Sequence, residues 1–134
     1  MLLKIIDHDS IQYNEMIDLR LKVLLQPIGI SEDYINKANE KDDILISAYD
    51  NDQLVGCCVL TRIDEDIIQL RQMAVHAAFQ GKQYGRSILS FAEKTASEKG
   101  YKIIMMHARN PVIDFYKKCG YNKTGSEFFE VGIG

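Results

Sequence analysis

The fold class this sequence predicts is α/β in composition but α+β in its sheet: a mixed sheet with helices on its faces, not a doubly wound parallel sheet. Three observations predict it. Residues 44–49 and 54–62 are strand-forming runs on either side of Asp50-Asn51-Asp52, which makes them a hairpin. A third run, 67–75, follows the turn Asp64-Glu65-Asp66 and extends the hairpin into an antiparallel meander. Residues 82–99 then carry apolar side chains at helical spacing (Tyr84, Ile88, Leu89, Ala92, Ala96) ahead of an apolar run at 101–107. A strand reached through a long helix returns parallel to the one before it, by a right-handed crossover. The expected sheet is therefore mostly antiparallel, with 67–75 and 101–107 as one parallel pair.

The other elements follow in order. Residues 2–6 read as a first strand. Residues 11–25 read as a helix with Asp9 or Ser10 as its N-cap and Ile11, Ile17, Leu21, Leu24 and Leu25 on one broad face. Pro27 and Gly29 break the chain, and Ser31-Glu32-Asp33 starts a short second helix to about Lys37. Gly100 closes the long helix as a C-cap. Residues 111–118 form a short helix with proline near its first turn, which Gly120 ends. Strands at 121–123 and 127–131 complete the order β-α-α-β-β-β-α-β-α-β. With no repeat, linker or low-complexity run, residues 1–134 are expected to be a single domain.

Composition narrows the function. Apolar residues make up 46% of the 134, enough for a real core. Lys+Arg 16 against Asp+Glu 19 gives a net charge of −3, with no basic excess to neutralise a nucleic-acid backbone. The apolar start, Met1 to Ile6, stops at Asp7, too short for a signal or a membrane span. Cys57, Cys58 and Cys119 show neither metal-ligand spacing nor a disulfide framework and read as small buried hydrophobes in a reducing cytoplasm. No nucleic acid, membrane or metal is expected as a partner.

Two segments carry chemistry. In the first, the strand ending Met73-Ala74-Val75 passes through Gln80-Gly81-Lys82-Gln83-Tyr84-Gly85-Arg86-Ser87 into the long helix. Free N–H groups at a helix start, with the macrodipole, favour an anion. Gly81 and Gly85 clear side chains from a phosphate's approach, and Lys82 and Arg86 add charge. A P-loop is excluded because Gly81 and Gly85 enclose three residues, not four, and Arg86 replaces the lysine. A dinucleotide fingerprint is excluded because a third glycine is missing and a meander precedes the loop. The second segment is Asn110, then Phe115-Tyr116-Lys117-Lys118-Cys119-Gly120-Tyr121.

Together these segments resemble the GNAT superfamily of acyl-CoA N-acyltransferases. That family has Gln or Arg, two residues, Gly, one residue, then Gly or Ala at its pyrophosphate loop, matched by residues 80–85. Downstream it has an Asn and a Phe-Tyr pair ahead of Lys and Gly, matched by Asn110 and 115–121. Gln83 departs from the pattern at its first glycine: either its Cβ crowds the cofactor or its amide touches it. The chain ends at Gly132-Ile133-Gly134, where similar proteins continue, so a short last strand or a truncated one is expected.

The resemblance implies the GNAT-like fold, with the parallel pair splayed by a bulge near Arg71–Met73. It implies acetyl-CoA as co-substrate, its diphosphate on residues 80–87 and its pantetheine arm beside Met73, Ala74 and Val75, added like an extra strand. Asn110 and Phe115 would hold the donor. Backbone N–H groups near Val75 would face the oxyanion. Tyr116, with an ordinary pKa of about 10, would hand a proton to the leaving thiolate. The acceptor would be an amine of a small molecule or a protein, selected by residues 26–43 and the chain end, and the protein a monomer or homodimer. A general base is not legible: His107 has suitable chemistry but reads more readily as a satisfied histidine at the end of its strand, Arg71 and Glu127 would line the acceptor site, and His76 reads as solvated. A non-catalytic acyl-CoA-binding module and an unrelated interaction domain are the competing readings.

Overall fold

The computed structural model describes residues 1–81, 83–108, 113–124 and 128–133, with the backbone alone at 128 and 129. Among these residues the strands are β1 (Leu2–Ile6), β2 (Ile44–Asp50), β3 (Gln53–Arg62), β4 (Ile67–Val75), β5 (Ile103–His107), β6 (Asn122–Lys123) and β7 (Phe128–Gly132). The α-helices are α1 (Ile11–Arg20), α2 (Tyr84–Glu98) and α3 (Ile113–Lys118). One sheet runs β1-β2-β3-β4-β5-β7-β6. The β4–β5 pair is parallel and the other neighbours are antiparallel, as the meander and the crossover helix require.

The N-terminal helical region differs from expectation. Ser10 is the N-cap, its Oγ accepting from the Tyr13 N–H at 3.2 Å. Regular α-helix ends at Arg20, and Leu21–Leu25 form one wide π-helical turn. Pro27 offers no N–H to Val23 and its ring crowds that carbonyl. A widened turn, then the 3₁₀ turn Gln26–Ile28 and Gly29 at φ 76°, carry the chain out. The second helix expected over 31–37 is a single 3₁₀ turn, Glu32–Tyr34, because Ile35 becomes extended and buries its side chain. A further 3₁₀ turn covers Asn39–Asp42. Gly100 and Gly120 close α2 and α3 as expected. At φ 93° and 95°, each lets the next residue bond back over the helix end, Tyr101 to Ala96 and Tyr121 to Tyr116.

The two faces of the sheet bury different helices. α1 brings Tyr13, Met16 and Ile17 onto Leu45, Cys57 and Val59. α2 and α3 bring Ile88, Leu89, Ala92 and Tyr116 onto Ile46, Cys58, Leu60, Ile104 and Met106. Cys57 and Cys58 thus fall on opposite faces, as strand alternation demands, and burial pushes the Cys57 thiol up to about 12. Gly56 of β3 lies under α2: a Cβ there would stand 2.5 Å from Ile88 Cδ1 and 3.1 Å from the Ala74 carbonyl.

β4 holds the feature that shapes the site. Val59 faces Arg71 but Cys57 faces Ala74, so β4 carries one extra residue, and Gln72 takes φ 51° there. Pairing with β5 runs from Ile67↔Ile103 to Leu70↔Met106 and goes no further. The bulge near 71–73 and the splayed strands are both present.

Candidate active site

The cleft starts where β4 leaves β5. It has a volume of about 710 Å³, and its walls come from four segments. Met73, Ala74 and Val75 form one wall; Phe79, Gln80, Gly81, Gln83, Tyr84, Gly85 and Arg86 form the second. Phe115 and Tyr116 of α3 form the third, and Val23 and Leu24 of the π-helical turn the fourth.

The loop between β4 and α2 is tied down at each step. The His76 N–H donates to the Val55 carbonyl at 2.8 Å. The His76 Nδ1 accepts from the Ala78 N–H at 3.1 Å, so this half-buried ring caps the turn Ala77–Phe79. Gln80 Nε2 donates to the Val75 carbonyl at 3.0 Å, binding the loop to the end of β4. Gly81 and Gln83 both lie in the left-handed region, at φ 80° and 65°. For Gln83 that conformation costs about 1–2 kcal/mol, which a glycine avoids. Gln83 is the N-cap of α2 and makes no side-chain capping bond. Its carbonyl accepts from the Ser87 N–H at 3.1 Å and Ser87 Oγ at 3.3 Å.

The far wall packs on this loop. A Cβ at Gly85 would meet Phe115 Cζ at 3.4 Å and Met73 Cε at 3.6 Å, so the missing side chain lets α2, α3 and β4 converge. Tyr84 stacks edge-on against Phe79 and donates to Asp50 Oδ2 at 2.7 Å. That bond, helped by desolvation, raises the Tyr84 hydroxyl's pKa. Tyr116 is 8% exposed and points its hydroxyl at the Met73 Sδ, 3.4 Å away. Burial holds it well above the ordinary tyrosine range, with Cys58 and Cys119 adding to the shift, so it stays protonated.

Eleven of the fourteen residues expected from the sequence therefore line one cleft. Ser87 lies outside it, on a shallow neighbouring groove with Arg86, Ser90 and Lys94, because its hydroxyl turns back to Gln83. Lys82 and Asn110 fall outside the described residues, as do Glu127 and the proline start of the helix expected at 111–118. His107 is exposed at the end of β5. Arg71 is engaged by its Nη1 with Thr61 Oγ1 at 3.2 Å, Asp43 at 3.6 Å and Glu40 at 3.9 Å.

Sequence reasoning missed Val23, Leu24 and Phe79, and a larger feature behind the bulge. Arg20, 1% exposed, forms a two-pronged bond to Glu40 at 2.8 and 2.7 Å, and Tyr13 donates to the same carboxylate at 2.7 Å. Burial alone would raise Glu40's pKa, but the bonds from Arg20 and Tyr13 outweigh it and hold the group below the usual carboxylate range. Among the described residues no cluster of His, Cys, Asp and Glu could hold a metal, and no helix is long and apolar enough to cross a membrane.

The site is a splayed parallel pair beside a glycine-bearing helix start, in a fold shared with solved acetyltransferase structures. The chain belongs to the acetyltransferase (GNAT) family, whose sequence profile matches residues 13–121. An uncharacterised N-acetyltransferase of Chlorobaculum tepidum is 29% identical over 87 residues, 65% of this chain and 54% of that protein. The chain spans about half the length of the first curated relatives it matches. Among solved structures, an aminoglycoside 6′-N-acetyltransferase complexed with coenzyme A is 17% identical at TM-score 0.84, covering 100% of this chain and 98% of that one. A GNAT family acetyltransferase from Elizabethkingia anophelis with acetyl-CoA bound is 24% identical at TM-score 0.76, covering 92% and 77%.

Proposed function

We propose that residues 1–134, acting as one domain, transfer an acetyl group from acetyl-CoA to a primary amine of a small molecule or a protein, by direct attack in a ternary complex. The observation that carries this reading is the opening of β4 from β5 after Leu70 and Met106, walled by the 80–86 loop and Tyr116. Backbone groups of Met73, Ala74 and Val75 would meet the pantetheine amides, as an added strand meets an edge. The diphosphate would sit on the start of α2, with N–H groups of residues 81–87 and the charges of Lys82 and Arg86 around it. Gln80 holds the Val75 carbonyl with its side chain, so its contribution to phosphate is through the backbone. Asn110 and Phe115 complete the donor site by resemblance.

In the reaction the neutral amine nitrogen attacks the thioester carbonyl carbon. The oxyanion that forms is met by N–H groups near Val75. The C–S bond then breaks, the thiolate takes the Tyr116 proton, the amine's proton passes to solvent, and the tyrosinate is reprotonated from solvent. A non-catalytic acyl-CoA-binding module would need no acid; the placing of the Tyr116 hydroxyl in the cleft wall, 3.4 Å from Met73 Sδ, favours turnover. The free cysteines Cys57, Cys58 and Cys119 support a reducing, cytoplasmic setting. Monomer and homodimer are both compatible with the site as proposed.

Calorimetry with acetyl-CoA, followed by thiol release over a panel of amines, tests the proposal. Binding and amine-dependent thiol release are expected. No binding at sub-millimolar acetyl-CoA removes both CoA readings, and binding without release across the panel leaves the non-catalytic module.

A further inference from the structure

We infer that Arg20, locked by Glu40, is a positioning residue for the acyl-donor cleft, acting through the side chain of Gln72. The inference rests on the acyl-donor reading proposed above. Gln72 is the extra residue of β4 and has a left-handed backbone. A non-glycine residue keeps such a conformation only where its surroundings over-determine it. Two contacts do so here: Arg20 Nε donates to Gln72 Oε1 at 3.4 Å, and Cys57 Sγ lies 3.8 Å from the Gln72 carbonyl.

The Arg20–Glu40 pair is a costly way to fill a core. Two buried charges gain little over apolar side chains of the same size, and such pairs persist where they specify a geometry. Arginine's planar fork can do this, because two N–H groups fix the guanidinium and a third then has a set direction. Here the Nη atoms are taken by Glu40, and Nε is aimed at the bulge. The residue before Gln72, Arg71, is held by Thr61, Asp43 and Glu40, so the carboxylate that locks Arg20 also faces the other side of the bulge. Downstream of Gln72 are Met73, Ala74 and Val75, the wall against which the donor would lie, and Met73 is where the Tyr116 hydroxyl rests. A shift of the bulge moves both the strand edge and the acid's resting partner.

The test compares Gln72→Ala, which keeps a Cβ but gives up the acceptor for Arg20, with Gln72→Glu, which keeps an acceptor. Gln72→Ala should raise KM for acetyl-CoA about tenfold, the size of one hydrogen bond to a charged group, with a smaller fall in kcat as Met73 shifts under the Tyr116 hydroxyl. Gln72→Glu should restore the native KM. In an Arg20→Lys background, which keeps the ion pair but loses the third directed N–H, Gln72→Ala should add nothing further. Equal KM values for Gln72→Ala and Gln72→Glu, or an undiminished Gln72→Ala effect beside Arg20→Lys, would overturn the inference.

Amide exchange at residues 73–75 without cofactor gives a second readout that does not depend on the donor. Faster exchange in Gln72→Ala than in Gln72→Glu is expected; equal exchange counts against the clamp. If exchange differs as expected while even the native protein binds no acetyl-CoA, the donor reading fails and the clamp stands.

Discussion

The two faces of this sheet are filled by different physics. Under α2 and α3 the contacts are apolar: Ile88, Leu89, Ala92 and Ala96 on Leu60, Ile68, Ile104 and Met106. Under α1 the apolar cluster surrounds a charged centre, in which Arg20, Glu40 and Tyr13 bond to one another in near-complete burial. An apolar face tolerates small shifts because dispersion and area burial are non-directional. A hydrogen-bonded charge centre does not, and it is the charged face that reaches the bulge of β4. One face is held by area burial, the other by directed bonds that end beside the cleft.

Glu40→Ala should do the most damage. It leaves the Arg20 guanidinium buried without its carboxylate, at a cost of about 3–5 kcal/mol in denaturant unfolding. Leu89→Ala on the apolar face should cost about 2–5 kcal/mol, with the exact value set by how far the cavity collapses. A Glu40→Ala loss well below that of Leu89→Ala would break the contrast. At the border between the faces, Tyr116→Phe should lower kcat about 100-fold while acetyl-CoA affinity stays nearly intact. An unchanged kcat would remove Tyr116 as the acid.

Gln83→Gly should stabilise the protein by about 1 kcal/mol and leave acetyl-CoA binding equal or tighter, because it relieves a left-handed non-glycine residue. A marked loss of binding would show the Gln83 amide to be a ligand contact. The smallest effect sharpens the comparison through pH. Glu40, with its pKa depressed, gives stability that is present above the ordinary glutamate range and lost as pH falls through its folded value. Glu93, on the other face, has its pKa raised by burial against the Tyr121 bond, so its ionised form costs stability at neutral pH and the cost is relieved on acidification. Glu93→Gln should therefore raise Tm slightly at pH 7 and lose that advantage in acid; a lower Tm at pH 7 would reverse the assignment.

Much of this was legible in the sequence where one local rule suffices. The meander, the crossover helix, the glycine C-caps at 100 and 120 and the loop at 80–87 each follow from spacing and turn chemistry. The bulge near 71–73 and the family followed from resemblance instead. What escaped depends on contacts across the chain. Nothing in Arg20 or Glu40 taken singly marks either as buried; only their meeting makes burial tolerable. The π-helical turn that brings Val23 and Leu24 to the cleft arises from the conflict between a helical pattern and Pro27, which periodicity cannot weigh. Gln83 was recognised as a departure from the loop pattern, but its left-handed backbone is a property of the folded loop.

The extra residue in β4 also works as a reading-frame shift within a strand. The positions of β4 that pack toward α2 are 68 and 70 before it, then 73 and 75 after it. With Gln72 counted out, those four fall into unbroken alternation, as in any half-buried strand. The chain is thus one residue away from a regular sheet, and that one residue separates an ordinary strand pairing from an opening.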